Sequence, residues 1–172
     1  MTLRTKQAAP SSIRPALPAD CAAVAAIYND GIDDRVDTFE TEHRSARQIE
    51  AWLGERGPFL VAEHTEGAHQ IMAFARVSAY RSRACYDGIG EFSVYVARPA
   101  RGKGFGHAVM TGLIQAAQHA GYWKLLSRIF PENTASLALC DRLGFRRVGT
   151  YQRHGQLDGH WRDTVIVEKR LE

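Results

Sequence analysis

The sequence contains little cysteine, no long apolar run and almost no net charge, and each shortage excludes a class of protein. The three cysteines, Cys21, Cys85 and Cys140, are far apart and form no Cys-x-x-Cys pair, which argues against a disulfide framework or a zinc site. No apolar run approaches the roughly 18 residues that cross a bilayer. The 22 Lys and Arg residues nearly balance the 19 Asp and Glu residues, so we expect neither a nucleic-acid nor a membrane partner.

Metal-binding and targeting motifs are also missing from the sequence. The seven histidines include no His-Glu-x-x-His pattern and no ligand triplet, so we predict no metal. His154 and His160 are expected in a polar loop before the last strand, at the surface or at a dimer contact. Residues 1–10 have no apolar segment of the kind found in secretory signals, and the expected location is therefore the cytoplasm.

What remains is the composition of one ordinary globular domain. The 172 residues are 45% apolar, which is enough to build a single core. We expect residues 1–11 to form a flexible leader and residues 12–172 to form one domain, without repeats or a linker. The order of elements predicts an α+β (or α/β three-layer) domain around one mostly antiparallel sheet. Strands are predicted at 12–17, 59–63, 71–80, 89–96, 123–130, 145–151 and 164–170, and helices at 19–31, 45–54, 102–119 and 132–143.

The most informative segment joins the predicted strand 89–96 to the helix that follows it. Three alternating glycines, Gly102, Gly104 and Gly106, stand beside Arg101 and Lys103. Glycines allow a ligand to approach the backbone, and the free N–H groups and dipole of a helix N-terminus attract phosphate. The alternative is a tight turn without a ligand. The segment is not a Walker A loop and fits the dinucleotide fingerprint poorly.

Two motifs together resemble the GCN5-related N-acetyltransferases. Residues 101–106 match the Arg/Gln-x-x-Gly-x-Gly/Ala pyrophosphate loop of that family, and residues 133–145 match its Asn-x-x-Ala-x-x-x-x-x-x-x-Gly-Phe motif at Asn133, Gly144 and Phe145, with Ser136 in place of the alanine. The resemblance covers about residues 12–170. It implies the acyl-CoA N-acyltransferase fold, a mixed and mostly antiparallel sheet flanked by helices, with acetyl-CoA as cosubstrate.

Within that family the chain resembles phosphinothricin and arsinothricin N-acetyltransferases. The matching stretches are residues 27–29, 38–42, 81–86, 91–96 and 161–163, and residues 122–133 look more like the arsinothricin branch. The resemblance implies acetylation of the α-amino group of a small anionic amino-acid analogue, of the phosphinothricin, arsinothricin or methionine sulfoximine type, which detoxifies it. It also implies a homodimer.

The resemblance assigns the chemistry to the strand 89–96 and to the second motif. Glu91 is the candidate base that deprotonates the acceptor amine, with a solvated strand-end glutamate as the alternative. A backbone N–H in residues 94–96 would polarise the thioester oxygen. Asn133 would bind pantetheine, cap a helix, or do both. The expected cofactor-binding residues are Val94, Tyr95, Val96, Arg101, Gly102, Lys103, Gly104, Phe105, Gly106, His107, Asn133 and Ser136.

Cys140 departs from the family pattern. Many members carry a tyrosine at this position, and phosphinothricin enzymes often carry histidine, as proton donor to the leaving thiolate. A thiol could donate that proton, but a buried helix cysteine is more often a packing residue, and both interpretations stay open.

The acceptor side is rich in arginine. Guanidinium groups suit carboxylate, phosphinate or arsinate oxyanions, although arginines also keep surface loops soluble. The resemblance places this pocket near a dimer interface. The expected acceptor-binding residues are Tyr28, Asn29, Thr38, Phe39, Glu40, Arg76, Arg81, Arg83 and Tyr86.

Two other functions fit the same motifs. A protein or peptide N-acetyltransferase would need an open groove, which the arginines disfavour. A non-catalytic acyl-CoA sensor would keep the phosphate loop and lack turnover, which Glu91 disfavours.

Overall fold

The computed structural model of the chain describes residue 10 and residues 12–65 and 69–171. Apart from residue 10, the predicted leader lies outside the described residues. The described part contains seven strands and four helices. In chain order they are β1 (Ser12–Pro15), α1 (Cys21–Asp34), α2 (Ala46–Glu50), β2 (Phe59–His64), β3 (Gln70–Ala79), β4 (Ile89–Val96), α3 (Phe105–His119), β5 (Lys124–Ile129), α4 (Thr134–Arg142), β6 (Arg146–Leu157) and β7 (His160–Arg170).

The seven strands form one sheet in the order β1-β2-β3-β4-β5-β7-β6. All neighbouring strands are antiparallel except β4 and β5, which are parallel. This confirms the predicted α+β class with a mixed, mostly antiparallel sheet. Within the described ranges, no helix is long and apolar enough to cross a membrane.

Alternation along β3 divides the core between the two faces of the sheet. Phe74 points to one face, where its ring lies within 6.3 Å of the Trp52 ring and 6.5 Å of the Tyr28 ring. Ala75 points to the opposite face together with its strand partner Leu60, which lies under α3. The buried side chains of α3, Val109, Met110, Leu113 and Ala117, recur at helical spacing and cover that face.

Parallel β4 and β5 separate after a short pairing. In the described chain their register runs only from Ile89↔Lys124 to Glu91↔Leu126. Beyond Glu91 the two strands diverge, although each continues for several residues. The divergence opens a cleft in the middle of the sheet, and the functional residues surround it.

The largest correction to the predicted elements concerns the last hairpin. The predicted strand 145–151 runs on to Leu157, and the predicted strand 164–170 starts at His160. His154 and His160 therefore lie in β6 and β7 and not in a loop. The prediction failed because both faces of β6 are exposed over most of its length, so its residues lack the alternation of a half-buried strand.

Candidate active site

The larger cavity at the cleft, about 750 Å³, lies between the end of β4, the glycine-rich turn and the start of α4. Its lining includes the predicted cofactor-binding residues Val94, Tyr95, Val96, Arg101, Gly102, Gly104, Gly106, His107, Asn133 and Ser136. We call it the cofactor groove. Lys103 is exposed nearby, whereas Phe105 is 1% exposed and belongs to the hydrophobic core. The structure thus brings together ten of the twelve residues expected there.

The glycine-rich turn has the backbone that the sequence pattern requires. Gly102 and Gly104 have φ angles of 74° and 89°, which residues with a Cβ adopt only with strain. Because of these angles α3 begins at Phe105, three residues later than the predicted start at residue 102. Gly104 is the N-cap, so the first N–H groups and the positive end of the 15-residue helix lie beside the cofactor groove.

Arg101, beside the glycine-rich turn, is paired with an acidic residue of α1. Its Nη2 lies 2.7 Å from Oδ2 of Asp34, and its Nε donates to the carbonyl oxygen of Val96 at 3.2 Å. Arg98 pairs with the same Asp34, at 2.9 Å. The end of α1 therefore pairs with both arginines, which leaves the backbone amides of the turn available to an anion.

Two backbone amides of β4 face the cleft. The amide of Ala97 donates to the carbonyl of Met72, so alternate residues of β4 bond to β3. Val94 and Val96 occupy the other set of positions, and their N–H groups point towards β5, which has already diverged. These amides are placed to receive the pantetheine arm and a thioester oxygen, as the resemblance implied.

Asn133 joins the cofactor groove to the acceptor side. Its Oδ1 accepts a hydrogen bond from the amide of Ser136 at 3.0 Å, which confirms the predicted cap of α4. Its Nδ2 donates to Oδ1 of Asp37 at 2.6 Å. Burial raises the pKa of Asp37, and the sequence analysis did not single out this residue.

Cys140 lines a narrow passage of about 50 Å³ between the two sides of the cleft. The residue is 2% exposed, and burial raises the pKa of its thiol to about 12. A free thiol ordinarily has a pKa of about 8.5, so a proton would move uphill from Cys140 to a thiolate of that kind. The geometry favours the packing interpretation.

The second cavity, about 430 Å³, lies on the other side of the passage. We call it the acceptor cavity. Its walls include four residues predicted from the sequence, Glu91, Thr38, Phe39 and Glu40, together with Tyr95. They also include residues that the sequence analysis did not assign to a site: Asp37, Ser78, Phe92, Ser93, Ser127, Arg128, Phe130, His154 and Gly155.

Glu91 and Arg128 form an ion pair in the wall of the acceptor cavity. Nε and Nη2 of Arg128 both contact Oε1 of Glu91, at 3.0 and 2.6 Å. Arg128 lies on β5, and it interrupts the apolar run Leu125, Leu126, Ile129 and Phe130. A charged residue within such a strand was the signal that could have identified it.

The loop between α1 and α2 covers the acceptor cavity. Asn29 fixes this loop, because its side chain exchanges two hydrogen bonds with the backbone of Arg44, at 2.8 and 3.0 Å. Glu40 pairs with Arg44 at 2.7 Å, so its charge is neutralised. The ring of Phe39 meets that of Phe130 edge to face, and it packs where a Cβ on Gly155 would stand.

Tyr95 lines both cavities, whereas Tyr28, which was predicted to bind the acceptor, lines neither and packs against Tyr95. Their rings meet edge to face with centroids 4.9 Å apart. Burial raises the pKa of both phenols, and that of Tyr95 lies well above its ordinary value. Both hydroxyls are therefore neutral and act as hydrogen-bonding groups.

Arg76, Arg81, Arg83 and Tyr86 are not part of the acceptor cavity formed by the described residues of one chain. Arg76 is paired with Glu55, and its guanidinium lies 4.3 Å from the centre of the Trp52 ring. Arg81 stacks on Tyr80 in the exposed turn after β3, and Arg83 and Tyr86 lie in the same turn. Sequence proximity to β3 suggested a common wall, but the turn carries these three residues away from the cleft.

Known proteins resemble this chain over most of its length. The Acetyltransferase (GNAT) family model matches residues 24–145. An L-methionine sulfoximine/L-methionine sulfone acetyltransferase of Pseudomonas paraeruginosa is 31% identical, with coverage of 94% of this chain and 95% of the relative.

Two solved structures share the fold over nearly the whole chain. A ribosomal-protein-alanine N-acetyltransferase from Brucella melitensis has a TM-score of 0.87 and 34% identity, covering 93% of this chain and 99% of its own. A phosphinothricin acetyltransferase from Sinorhizobium meliloti, solved in complex with acetyl-CoA, has a TM-score of 0.85 and 29% identity, covering 93% and 88%.

The cofactor groove fits the group that such an enzyme needs. Free amides at Val94 and Val96, the helix N-terminus at Gly104 and the open glycine turn match the carbonyl groups and diphosphate of coenzyme A. The protein is thus an N-acetyltransferase that takes its acetyl group from acetyl-CoA. The chain belongs to the GNAT acetyltransferase family.

Proposed function

We propose that the protein acetylates the α-amino group of a small anionic amino-acid analogue and thereby detoxifies it. The observation that carries this proposal is the acceptor cavity, which places Glu91 and Arg128 together across a narrow passage from the amides of Val94 and Val96. A cavity of about 430 Å³ suits a ligand of amino-acid size. The names of relatives that act on methionine sulfoximine and phosphinothricin support the same class of acceptor.

The reaction needs a neutral amine beside the thioester carbonyl. Glu91, on the acceptor side, takes a proton from the ammonium group, directly or through a water molecule. The amine nitrogen then attacks the thioester carbon, a β4 amide stabilises the developing oxyanion, and the nitrogen loses its second proton to water. The carbon–sulfur bond breaks and the thiolate leaves. Because the thiol of Cys140 is a poor acid, the thiolate takes its proton from solvent.

An acceptor panel tests the proposal. Phosphinothricin, arsinothricin, L-methionine sulfoximine and L-methionine sulfone are each mixed with acetyl-CoA, and release of the free thiol is followed. We expect turnover with at least one of them, and Glu91→Gln should lower kcat about 100-fold or more while leaving the acetyl-CoA KM within about twofold. Absence of turnover with every small amino acid would refute the proposal.

A protein acceptor is the second candidate, because one solved neighbour is named for a ribosomal protein. Peptides with N-terminal alanine belong in the same panel. Turnover of peptides alone would select this candidate, and coenzyme A binding without turnover of any acceptor would select a non-catalytic sensor.

We propose further that two copies form a homodimer through the hairpin of β6 and β7. This hairpin carries the exposed apolar residues Val148, Tyr151 and Trp161, which are 46, 52 and 50% exposed. The expected roles of Arg76, Arg81, Arg83 and Tyr86 in acceptor binding remain predictions. For the three residues of the exposed turn, the prediction requires that the turn reaches the acceptor cavity of the partner copy. Light scattering should give twice the 19.1 kDa of one chain, and Trp161→Glu should halve that mass. A monomeric wild type would contradict the dimer.

The cytoplasm is the compartment we propose, since Cys21, Cys85 and Cys140 are all free thiols.

A further inference from the structure

We propose that Glu91 and Arg128 together form a receptor for the zwitterionic head of the acceptor, and that Arg128 selects for a free α-carboxylate. This inference rests on the proposed function and names the part of the acceptor that is recognised. In the structure the two side chains pair with each other. When the acceptor binds, its ammonium group faces Glu91 and its carboxylate faces Arg128.

The spacing of the two side chains matches that of an α-amino acid. Ammonium and carboxylate groups share one carbon atom, so the nitrogen lies about 2.5 Å from the carboxyl carbon. A site that binds both groups must therefore present an anion and a cation close to each other. Oε1 of Glu91 and Nη2 of Arg128 lie 2.6 Å apart.

The charge balance of the acceptor cavity singles out Arg128. Among the described residues that line it, Arg128 is the sole arginine or lysine. Glu40 is paired with Arg44, and Asp37 accepts a hydrogen bond from Asn133, so both acidic side chains already have partners. Arg76, which the sequence predicted as an anion receptor, is occupied by Glu55 under Trp52.

The resting ion pair is weak enough to be exchanged. The side chains of Arg128 and Glu91 are 45 and 23% exposed, and both nitrogens of Arg128 contact the same carboxylate oxygen. This is not the two-oxygen fork that makes arginine–carboxylate pairs strong. An incoming carboxylate can form that fork with Arg128, and Glu91 is then released to accept a proton from the amine.

Binding and activation are therefore coupled. A guanidinium that stays on Glu91 engages Oε1 with two hydrogen bonds and leaves only Oε2 to accept a proton from the amine. An amine without a neighbouring carboxylate offers Arg128 no alternative partner and leaves Glu91 engaged. Simple amines and α-carboxamides should be poor acceptors for this reason, even when they fit the cavity.

The test compares an acceptor with its own α-carboxamide in four proteins. The acceptor is the best one from the panel above, and kcat/KM is measured for the acid and for the amide. The proteins are the wild type, Arg128→Met, Arg128→Lys and the control Arg147→Met. Arg147 is similarly exposed and makes two contacts with Asp141, at 2.7 and 3.3 Å, away from both cavities.

We expect the wild type and the Arg147→Met control to prefer the acid strongly and equally. In Arg128→Met the ratio of acid to amide should fall about 10- to 100-fold, the equivalent of a charge-assisted hydrogen-bonded pair, while the acetyl-CoA KM changes less than twofold. The ratio of acid to amide for Arg128→Lys should lie between those of the wild type and Arg128→Met, because lysine keeps the charge and cannot form the two-nitrogen fork. Should the methionine variant fail to fold, the lysine variant decides alone.

The experiment distinguishes failure of this inference from failure of the proposed function. If the wild type turns over an acceptor but the ratio of acid to amide survives in the Arg128 variants, Arg128 does not read the carboxylate and the inference is wrong, while the proposed function stands. If the wild type turns over no amino acid, the proposed function fails and this inference fails with it.

Discussion

Asn133 donates a hydrogen bond from Nδ2 to Oδ1 of Asp37 at 2.6 Å and thereby links the residue that caps α4 to the wall shared by both cavities. The same side chain accepts from the amide of Ser136, so its two ends have different tasks. One end stabilises the helix, and the other positions Asp37 in the groove.

Substitutions at Asn133 should separate these two tasks. Asn133→Ala should cost about 1 kcal/mol of stability, the usual value of a cap, whereas Asn133→Ser keeps a cap and should cost less than about 0.5 kcal/mol. Both variants lose Nδ2, so both should raise the acetyl-CoA KM to a similar extent. Urea denaturation and steady-state kinetics measure the two effects. A normal KM in the serine variant would restrict Asn133 to capping.

Replacing Cys140 should affect packing and leave the chemistry intact. Because burial raises the pKa of this thiol to about 12, we expect Cys140→Ala to keep kcat within about threefold and to cost about 1 kcal/mol of stability. Cys21→Ala is the matched control, since Cys21 is equally buried on α1. A proton donor would contribute about 100-fold or more, so a loss of kcat of that size in Cys140→Ala alone would identify an acid.

A methyl group at Gly102 should weaken cofactor binding through the backbone alone. An added Cβ there meets no atom within 4 Å, but the φ of 74° costs an alanine about 1–2 kcal/mol. In the alanine variant the turn should relax to another conformation. Returning to the conformation that binds coenzyme A then costs this free energy, so the Kd measured by calorimetry should rise about 5- to 30-fold. Gly54→Ala is the control, because its Cβ also meets open space and its φ is not positive. Equal affinity in the two variants would show that the conformation of the turn is not needed.

We expect the contribution of Asp20 to the free energy of unfolding to disappear in acid. Hydrogen bonds from Arg14, at 2.7 and 3.0 Å, hold the pKa of Asp20 below its ordinary 3.8. A lowered pKa in the folded state stabilises the protein above the ordinary value, and this contribution disappears as the pH falls through the folded pKa. Asp20→Asn should therefore cost about 2 kcal/mol at neutral pH and progressively less below about pH 4.

Denaturant titrations at several pH values measure this dependence. Asp87→Asn serves as the exposed control, and it should cost less than about 0.5 kcal/mol throughout. If the loss of unfolding free energy in Asp20→Asn stayed the same in acid, its cause would be altered packing and not the loss of the charge.

Local patterns were sufficient to predict the elements around the cofactor groove. The limits of β4 were predicted to the residue, because its β-branched and aromatic residues end at a glycine-rich turn with unmistakable backbone requirements. The start of α3 was misplaced, since Gly102 and Gly104 were counted as helical although both have positive φ.

Contacts between distant segments could not be predicted from such patterns. Arg128 meets Glu91 across 37 positions of sequence, and Asn133 meets Asp37 across 96. Both contacts depend on how the fold brings distant segments together, which no property of the individual residues encodes. The exposed turn with Arg81 and Arg83 shows the converse, since residues close to β3 in sequence lie away from its cleft.

The divergence of β4 and β5 should affect the rate of hydrogen–deuterium exchange at single backbone amides. The N–H groups of Val94 and Val96 lie inside a sheet yet lack the neighbouring strand that would normally shield them. They should exchange quickly in the ligand-free enzyme and become protected when acetyl-CoA supplies the missing carbonyl groups. Deuterium uptake of these two valines, compared with Gly90 before the opening, would then report cofactor occupancy even in a variant that has lost all turnover.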